Sequence, residues 1–215
     1  MTDAISTTDL VAWVRAFRDA VHAHRDELTR LDSEIGDADH GSNMARGMDA
    51  VVAKLDPIPD AAPELFKTVG MTLVSSVGGA SGPLYGTFFL RMGPAAGAEP
   101  TLDAPTLGAA LRAGVEGVVA RGKAEPGDKT MIDAFVPALD AWDAAVADGG
   151  DAARAARAAA DAAASGRDAT EALVARKGRA SYLGERSAGH IDPGAASATL
   201  LLEALAVSLA AAGAA

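Results

Sequence analysis

Three aspartates lie within eight residues near the start of the chain: Asp32, Asp37 and Asp39, in the segment LDSEIGDADHG at residues 31–41. Converging carboxylates repel one another, and burying them without compensation is unfavourable. A divalent cation among their oxygens would supply the missing positive charge. Gly36 and Gly41 free the backbone on either side of a turn, which lets side chains converge that would diverge on a helix. The pattern predicts a site for Mg²⁺, which binds through one or two carboxylates together with phosphate oxygens.

A calcium-binding loop and a simple helix cap are the two alternatives to a magnesium site in this segment. A Ca²⁺-binding EF-hand loop also begins Asp-x-Asp, but it needs Gly at its sixth position and Glu at its twelfth. Counted from Asp37, those positions hold Ser42 and Met48, which excludes that loop. Alternatively, Asp37 or Asp39 simply caps the helix that begins near Gly41. One cap explains one aspartate and leaves two without a role, so the metal site is the favoured interpretation.

Three glycine-bearing loops could supply the backbone N–H groups that phosphates bind. They are GGASGP at residues 78–83, GRASYLGERS at 178–187 and GHIDPG at 189–194. The first leads into a helix with a proline in its first turn, which exposes N–H groups at a helix N-terminus. One such loop alone is usually a plain tight turn. Three of them together with the carboxylate turn favour a nucleotide site, which needs N–H donors, a carboxylate for the ribose and a metal.

Residues 122–130, with the sequence GKAEPGDKT, come close to a P-loop. Asp128, however, separates Gly127 from Lys129, and no strand precedes the segment, as the mechanism of that motif requires. We therefore exclude a Walker-type fold. Any phosphate chemistry in this chain must use a different scaffold.

The composition indicates one domain of 215 residues with a helical core. Hydrophobic residues make up 49% of the chain and aromatic residues only 4%, which favours packed helices over a β-sandwich. The formal net charge of -10 argues against nucleic acid or an anionic membrane as a partner. The absence of cysteine excludes disulfides, thiolate metal sites and a cysteine nucleophile, and it fits a reducing cytoplasm. The polar, acidic first ten residues do not resemble a secretion signal.

Apolar periodicity predicts helices along most of the chain and no clear strand. Helices are expected at residues 7–31, 41–55, 63–77, 83–92, 104–121, 129–147, 151–165, 167–177 and 193–212, with breaks at 57–59 and 93–94. The apolar stretch 195–215 is long enough to resemble a membrane span, but it is rich in alanine and lacks flanking basic residues. We interpret it as a buried core helix. The chain is thus expected to be an all-α domain of about eight or nine helices.

Four segments in the same order, 31–47, 78–87, 122–133 and 176–194, resemble the family of nucleotide-binding L subunits of bacterial dihydroxyacetone kinase. The resemblance covers nearly the whole chain. It implies an all-α, single-domain antiparallel barrel of about eight helices over residues 1–215, with the nucleotide bound at one rim by the interhelical loops. It also implies that the three aspartates hold two Mg²⁺ ions that bridge the phosphates of ADP or ATP.

The resemblance further assigns roles to residues in each loop. The implied nucleotide-binding residues are His40, Gly41, Ser42, Asn43, Ser81, Gly82, Gly122, Met131, Arg179, Asp192, Pro193 and Gly194. Residues 40–43 with 81–82 would contact phosphates, Gly122 and Met131 would border the adenine, and residues 192–194 would close over the ribose side. On spacing alone, Met131 is equally a core residue, and His40 could pack at a helix start. The family often has Gly where this chain has Ala38, a change expected to be tolerated if φ stays negative there.

The activity that the resemblance implies is phosphoryl transfer to dihydroxyacetone held covalently by a histidine of a separate K subunit. In one version of the system, ADP stays bound and is recharged from phosphoenolpyruvate by a phosphohistidine protein, the M subunit; in the other, ATP is exchanged at each turnover. A free-standing chain of this length favours the first version. The alternatives are an ATP-dependent kinase subunit for another small keto or hydroxy sugar-like acceptor, or a regulatory subunit that binds a transcription factor. The expected location is the cytoplasm, and a homodimer is a further candidate assembly.

Overall fold

In the computed structural model, which describes residues 4–213, helices follow one another around a closed ring. The α-helices of this part of the chain are α1 (Thr7–Ala23), α2 (Arg25–Ile35), α3 (His40–Val52), α4 (Ala62–Ser76), α5 (Ser81–Ala96), α6 (Ala104–Gly122), α7 (Ile132–Ala147), α8 (Ala152–Ala169) and α9 (Pro193–Ala212). From α3 to α9 each helix packs against the next, and α1 closes the ring by packing against both α9 and α3. The remaining helix, α2, lies against α3 and α9. The ring of eight confirms the predicted all-α barrel.

Aliphatic and aromatic side chains from all eight ring helices form one continuous core. Trp13 of α1 packs edge-on against Phe66 of α4, and its indole N–H donates to the backbone oxygen of Leu201 in α9 at 2.8 Å. Because that N–H has a partner, the large ring is buried without an unsatisfied polar group. The contact ties the two ends of the ring together.

Helix α9 is long and apolar enough to cross a membrane, yet 72% of its most apolar window is buried inside the protein. Its buried residues occupy all sides of the helix rather than one stripe. A helix that is apolar all round belongs in a protein core or a bilayer, and here neighbouring helices already cover it. The predicted core helix is confirmed.

The expected helix at 7–31 is instead two helices separated by a turn at His24. Ser6 caps α1, since its hydroxyl accepts from the N–H of Asp9 and the Asp9 carboxylate accepts from the N–H of Ser6. At His24 the backbone leaves helical geometry, with φ -104° and ψ 13°. Apolar residues continue at helical spacing beyond the turn, at Leu28 and Leu31, so periodicity could not reveal the break.

Other expected boundaries also differ from the structure. Pro94 does not break a helix, because α5 continues through it to Ala96. The helix expected from residue 129 begins at Ile132, after a loop with left-handed backbone at Lys129. The separate helix expected at 167–177 is not formed. Instead, α8 runs to Ala169, a short 3₁₀ turn follows at Thr170–Ala172, and the chain then loops to a 3₁₀ segment at Arg179–Ser187.

Two short strands, which the sequence did not reveal, pair near the N-terminus. The strand β1 (Ile5–Ser6) lies antiparallel to β2 (Thr101–Leu102), with Ile5 opposite Leu102. Strands of two residues are too short for alternating hydrophobicity to mark them. The pair joins the start of α1 to the loop before α6.

Candidate functional site

The turn between α2 and α3 brings the carboxylates of Asp32, Asp37 and Asp39 together. One oxygen from each lies within 4.8 Å of the others. Mg²⁺ with ligands at about 2.1 Å holds its oxygens at most about 4.2 Å apart, so small side-chain rotations would bring these oxygens within bonding reach of one ion. Three carboxylate oxygens are the hard donors that this cation prefers. The residues present therefore fit a divalent metal.

Hydrogen bonds to Asp32 hold the turn in shape. This aspartate lies in the last turn of α2 and is buried, and its Oδ2 accepts from the N–H groups of Asp39 at 2.9 Å and His40 at 3.1 Å. Gly36 lies against the same carboxylate, where an added Cβ would sit 2.0 Å from Oδ1 of Asp32. A side chain at position 36 would therefore displace the aspartate. The glycine is required by this close approach.

Ala38, between two of the aspartates, has a left-handed backbone with φ 62°. The condition under which alanine was expected to be tolerated here, a negative φ, is therefore not met. A left-handed conformation brings the Cβ of an L-residue close to a carbonyl oxygen and is unfavourable by roughly 1 kcal/mol or more. The chain must reverse direction here so that Asp37 and Asp39 face Asp32. The left-handed backbone at Ala38 is therefore locally strained, whereas glycine would adopt it without strain.

Arg179 pairs with one of the three carboxylates. Its Nη2 lies 3.0 Å from Oδ2 of Asp37, and the arginine side chain is 69% exposed. Exposed ion pairs contribute little to stability. A divalent cation could therefore replace Arg179 as the partner of Asp37 with little loss of stability. Arg179 belongs to the 3₁₀ segment Arg179–Ser187, which lies beside the acidic turn and carries Tyr182, 89% exposed.

The acidic turn forms one end of a cleft whose walls come from five separate parts of the chain. The predicted site residues that line this end are Asp32, Asp37, Asp39, His40, Ser81, Met131, Arg179, Asp192, Pro193 and Gly194. Residues as far apart in sequence as Asp32 and Gly194 meet here because α2, α3, α5, α7 and α9 present their ends, or the loops beside them, on the same side of the ring. Most of the predicted site is thereby brought together.

The other end of the cleft is apolar. It is lined by residues that include Pro83, Leu84, Val118, Gly122 and Met131. Leu84, Thr130 and Met131 border both ends, so the two halves are continuous. The cleft therefore suits a ligand that has an anionic, metal-binding end and a flat apolar end.

Four predicted residues lie beside the cleft rather than on its surface: Gly41, Ser42, Asn43 and Gly82. Gly41 and Gly82 are packing positions, since an added Cβ would sit 2.1 Å from the backbone oxygen of Arg25 and 2.3 Å from that of Val77, respectively. Ser42 donates its hydroxyl to the backbone oxygen of Asp39 at 3.0 Å. Phosphate contacts from these four residues stay predictions.

His40 borders the cleft, but both nitrogens of its ring have partners within the protein. Nδ1 lies 3.0 Å from Oγ of Ser81, and Nε2 lies 2.9 Å from Oγ of Ser197. The hydroxyl of Tyr85 joins the same network, 2.7 Å from Oγ of Ser197. Burial lowers the pKa of His40, which keeps the ring neutral. The ring has no free nitrogen for a phosphate in this arrangement; its evident role is to join α3, α5 and α9.

Sequence reasoning missed several residues of the cleft wall. Lys129, Thr130 and Lys177 line it, and none of them was among the predicted site residues. Asp192, which was predicted, caps α9 by accepting from the N–H of Ala195 at 2.7 Å, and burial raises its pKa to about 7. Lys129 belongs to the segment 122–130 that comes close to a P-loop, and it received no role once that motif was excluded.

Comparisons with known proteins give a consistent picture. The DAK2 domain family matches residues 34–207. The chain is 47% identical over 206 residues to the PEP-dependent dihydroxyacetone kinase, ADP-binding subunit DhaL, of Escherichia coli K12, covering 95% of this chain and 98% of that protein. It is 45% identical over 194 residues to the corresponding subunit of PEP-dependent dihydroxyacetone kinase 1 of Listeria innocua, covering 90% of this chain and 92% of that one.

A solved structure has the same fold. The dihydroxyacetone kinase from C. freundii, crystallised with AMP-PNP and Mg²⁺, superposes with a TM-score of 0.71 at 30% sequence identity. The match covers 93% of this chain and 34% of that larger protein.

Proposed function

The chain belongs to the DAK2 domain family, and from this premise we propose that it is the ADP-binding subunit of a phosphoenolpyruvate-dependent dihydroxyacetone kinase. Its reaction class is phosphotransfer to an alcohol group. The observation that carries the proposal is the convergence of Asp32, Asp37 and Asp39 at one end of a cleft whose other end is apolar. The names of the relatives, as ADP-binding subunits, support it.

The acidic end of the cleft would hold the phosphates. Asp32, Asp37 and Asp39 would bind two Mg²⁺ ions, which when present supply the positive charge that offsets both carboxylates and phosphates. The first N–H groups of α5, at Ser81 and Gly82, have no partner within their helix and would donate to phosphate oxygens. Arg179, released from Asp37 by the metal, would be free to face the same oxygens.

The apolar end would hold the base. Leu84 and Met131 provide a wall for a planar ring. Gly122, which has no side chain, leaves the space beside this wall open; an added Cβ would lie 3.4 Å from Leu84. Asp192, Pro193 and Gly194 line the acidic end of the cleft, and the ribose would lie against them. The residues thus bind and orient; we assign no proton transfer to any of them.

The acceptor and the phosphate donor belong to other subunits in this proposal. Dihydroxyacetone would be held by a K subunit, and bound ADP would be recharged by the phosphohistidine of an M subunit in the cytoplasm. The description of both relatives as PEP-dependent subunits favours this route over exchange of ATP at each turnover.

Titration calorimetry with Mg²⁺ and ADP tests the site. We expect the wild-type chain to bind Mg·ADP and to lose binding when EDTA removes the metal. Asp37→Ala should weaken binding by at least about tenfold, because it removes one metal ligand. Its melting temperature should change little, since Asp37 is exposed and its ion pair with Arg179 contributes little to stability.

Asp60→Ala is the matched control. Asp60 is also an exposed aspartate in a loop, but it lies outside the cleft. The control should bind Mg·ADP as the wild type does. Equal affinity of the Asp37→Ala variant and the wild type would refute the metal site.

A further inference from the structure

Lys129 is among the most deeply buried charged residues that the structure describes. Only 1% of it is exposed, and it lies in the loop between α6 and α7 with a left-handed backbone, φ 64°. Lysine is normally exposed, and a buried ammonium group needs compensating partners. The partners of the ammonium group must therefore explain why a lysine is buried at this position.

The partners of the ammonium group are backbone carbonyls of two other loops. Nζ donates to the oxygen of Thr170 at 2.6 Å and to that of His190, and it has a longer contact of 3.5 Å with the oxygen of Glu171. An ammonium group has three hydrogens and no acceptor, so these three oxygens satisfy it. Desolvation lowers the pKa of Lys129, while the nearby charges of Asp192, Glu171 and Asp133 oppose that shift.

Additional hydrogen bonds join the same three loops around this centre. The N–H of Gly189 donates to the oxygen of Glu171 at 2.7 Å, and the N–H of Asp192 donates to Oγ1 of Thr170 at 3.0 Å. The N–H of Arg176 donates to the oxygen of Asp128, next to the lysine, at 3.1 Å. Lys129 thus lies where the loops 123–131, 170–178 and 188–192 meet.

Each of these loops ends in, or leads into, part of the cleft wall. The first carries Thr130 and Met131, the second carries Lys177 and Gly178, and the third leads into residues 192–194. We propose that Lys129 is a positioning residue for nucleotide binding, because its ammonium group holds together the three loops that form one wall of the cleft. The inference rests on the proposed function. It adds a residue that contacts neither the metal nor the phosphates.

Removing the ammonium group should loosen the wall and leave the ring of helices folded. In Lys129→Met we expect affinity for Mg·ADP, measured by calorimetry, to fall at least about tenfold, since small misplacements of binding groups have effects of this size or larger. Amide hydrogen exchange should accelerate together in residues 123–131, 170–178 and 188–192 and stay unchanged in α1, α3 and α4. A role in general stability alone would instead accelerate exchange throughout.

Lys123→Met is the matched control, because Lys123 lies in the same loop, is exposed and carries the same charge. It should bind Mg·ADP as the wild type does. If Lys129→Met and the wild type bind within twofold of each other, the inference fails while the proposed function stands. If the wild type does not bind Mg·ADP, both fail.

Lys129→Arg keeps the test decisive if the methionine variant does not fold. The guanidinium group keeps the charge, but its planar fork cannot aim at three carbonyls as an ammonium group does. We expect the variant to fold with a lower melting temperature than the wild type, because the larger group leaves buried donors without partners. Its binding of Mg·ADP should be weaker by at least about threefold. Binding equal to that of the wild type would overturn the inference.

Discussion

Ala38 is the residue at which the acidic turn is most strained. Its φ of 62° is a conformation that glycine adopts without penalty. Ala38→Gly should therefore raise the free energy of unfolding, by about 0.5–1 kcal/mol after allowing for the greater freedom of glycine in the unfolded chain. Urea denaturation at constant pH measures the change.

Ala53→Gly provides the comparison for that variant. Ala53 is exposed and has an ordinary φ of -61° at the end of α3, so the same substitution should lower stability by about 0.5–1 kcal/mol. An Ala38→Gly variant that is also less stable than the wild type would show that the left-handed backbone carries no strain.

At this scale the sequence indicated the turn with three neighbouring aspartates, but it gave no indication of a role for Lys129. The three aspartates are neighbours in the chain, and the flanking glycines Gly36 and Gly41 already indicated a turn. The partners of Lys129 are 41 and 61 residues away along the chain. A side chain whose partners are distant backbone carbonyls leaves no local pattern, because carbonyls are present at every residue. Such a residue is found only in the folded structure.

Close packing of α2 against α3 sets the geometry of the acidic turn between them. Gly41 permits this packing, since an added Cβ would sit 2.1 Å from the backbone oxygen of Arg25 and 2.5 Å from Oγ1 of Thr29. Gly41→Ala should push the helices apart and destabilise the protein by about 2–3 kcal/mol. Thermal and urea denaturation measure the loss.

Gly213→Ala tests whether that effect is specific to the helix contact. Gly213, at the end of α9, has φ -72°, and an added Cβ would make only an ordinary contact at 3.6 Å. We expect its stability to lie within about 1 kcal/mol of the wild type. Similar losses in both variants would contradict a packing role for Gly41.

Helix existence was predictable, whereas several helix ends were not. Apolar spacing located every α-helix of the ring, but it merged α1 with α2 and extended the region after α8 into a helix. Just beyond the end of α8, the carbonyl oxygens of Thr170 and Glu171 contact Nζ of Lys129, a residue about 41 positions earlier in the chain. The beginning of α7 depends on Asp133, whose carboxylate accepts from the N–H groups of Gly127 and Thr130. Tertiary contacts of this kind override local preference.

The proposed binding residues lie on one side of the ring, and in the proposed function a partner subunit holds the acceptor. We therefore predict that the purified chain with Mg·ATP does not phosphorylate dihydroxyacetone above background, and that turnover appears when a K subunit is added. A coupled assay for the triose phosphate measures it. Asp37→Ala should abolish the turnover of the mixture. Product formed by this chain alone would contradict the division of labour.

The ring also determines which optical signals can follow binding. Trp13 and Trp142 are both buried in the core and do not line the cleft, so their fluorescence would report unfolding better than ligand. Tyr182, in contrast, projects into solvent from the segment whose Arg179 reaches the acidic turn, and the chain has no cysteine. A thiol introduced as Tyr182→Cys would accept a single dye at a defined place. The segment beside the cleft could then be observed directly while nucleotide and metal are added.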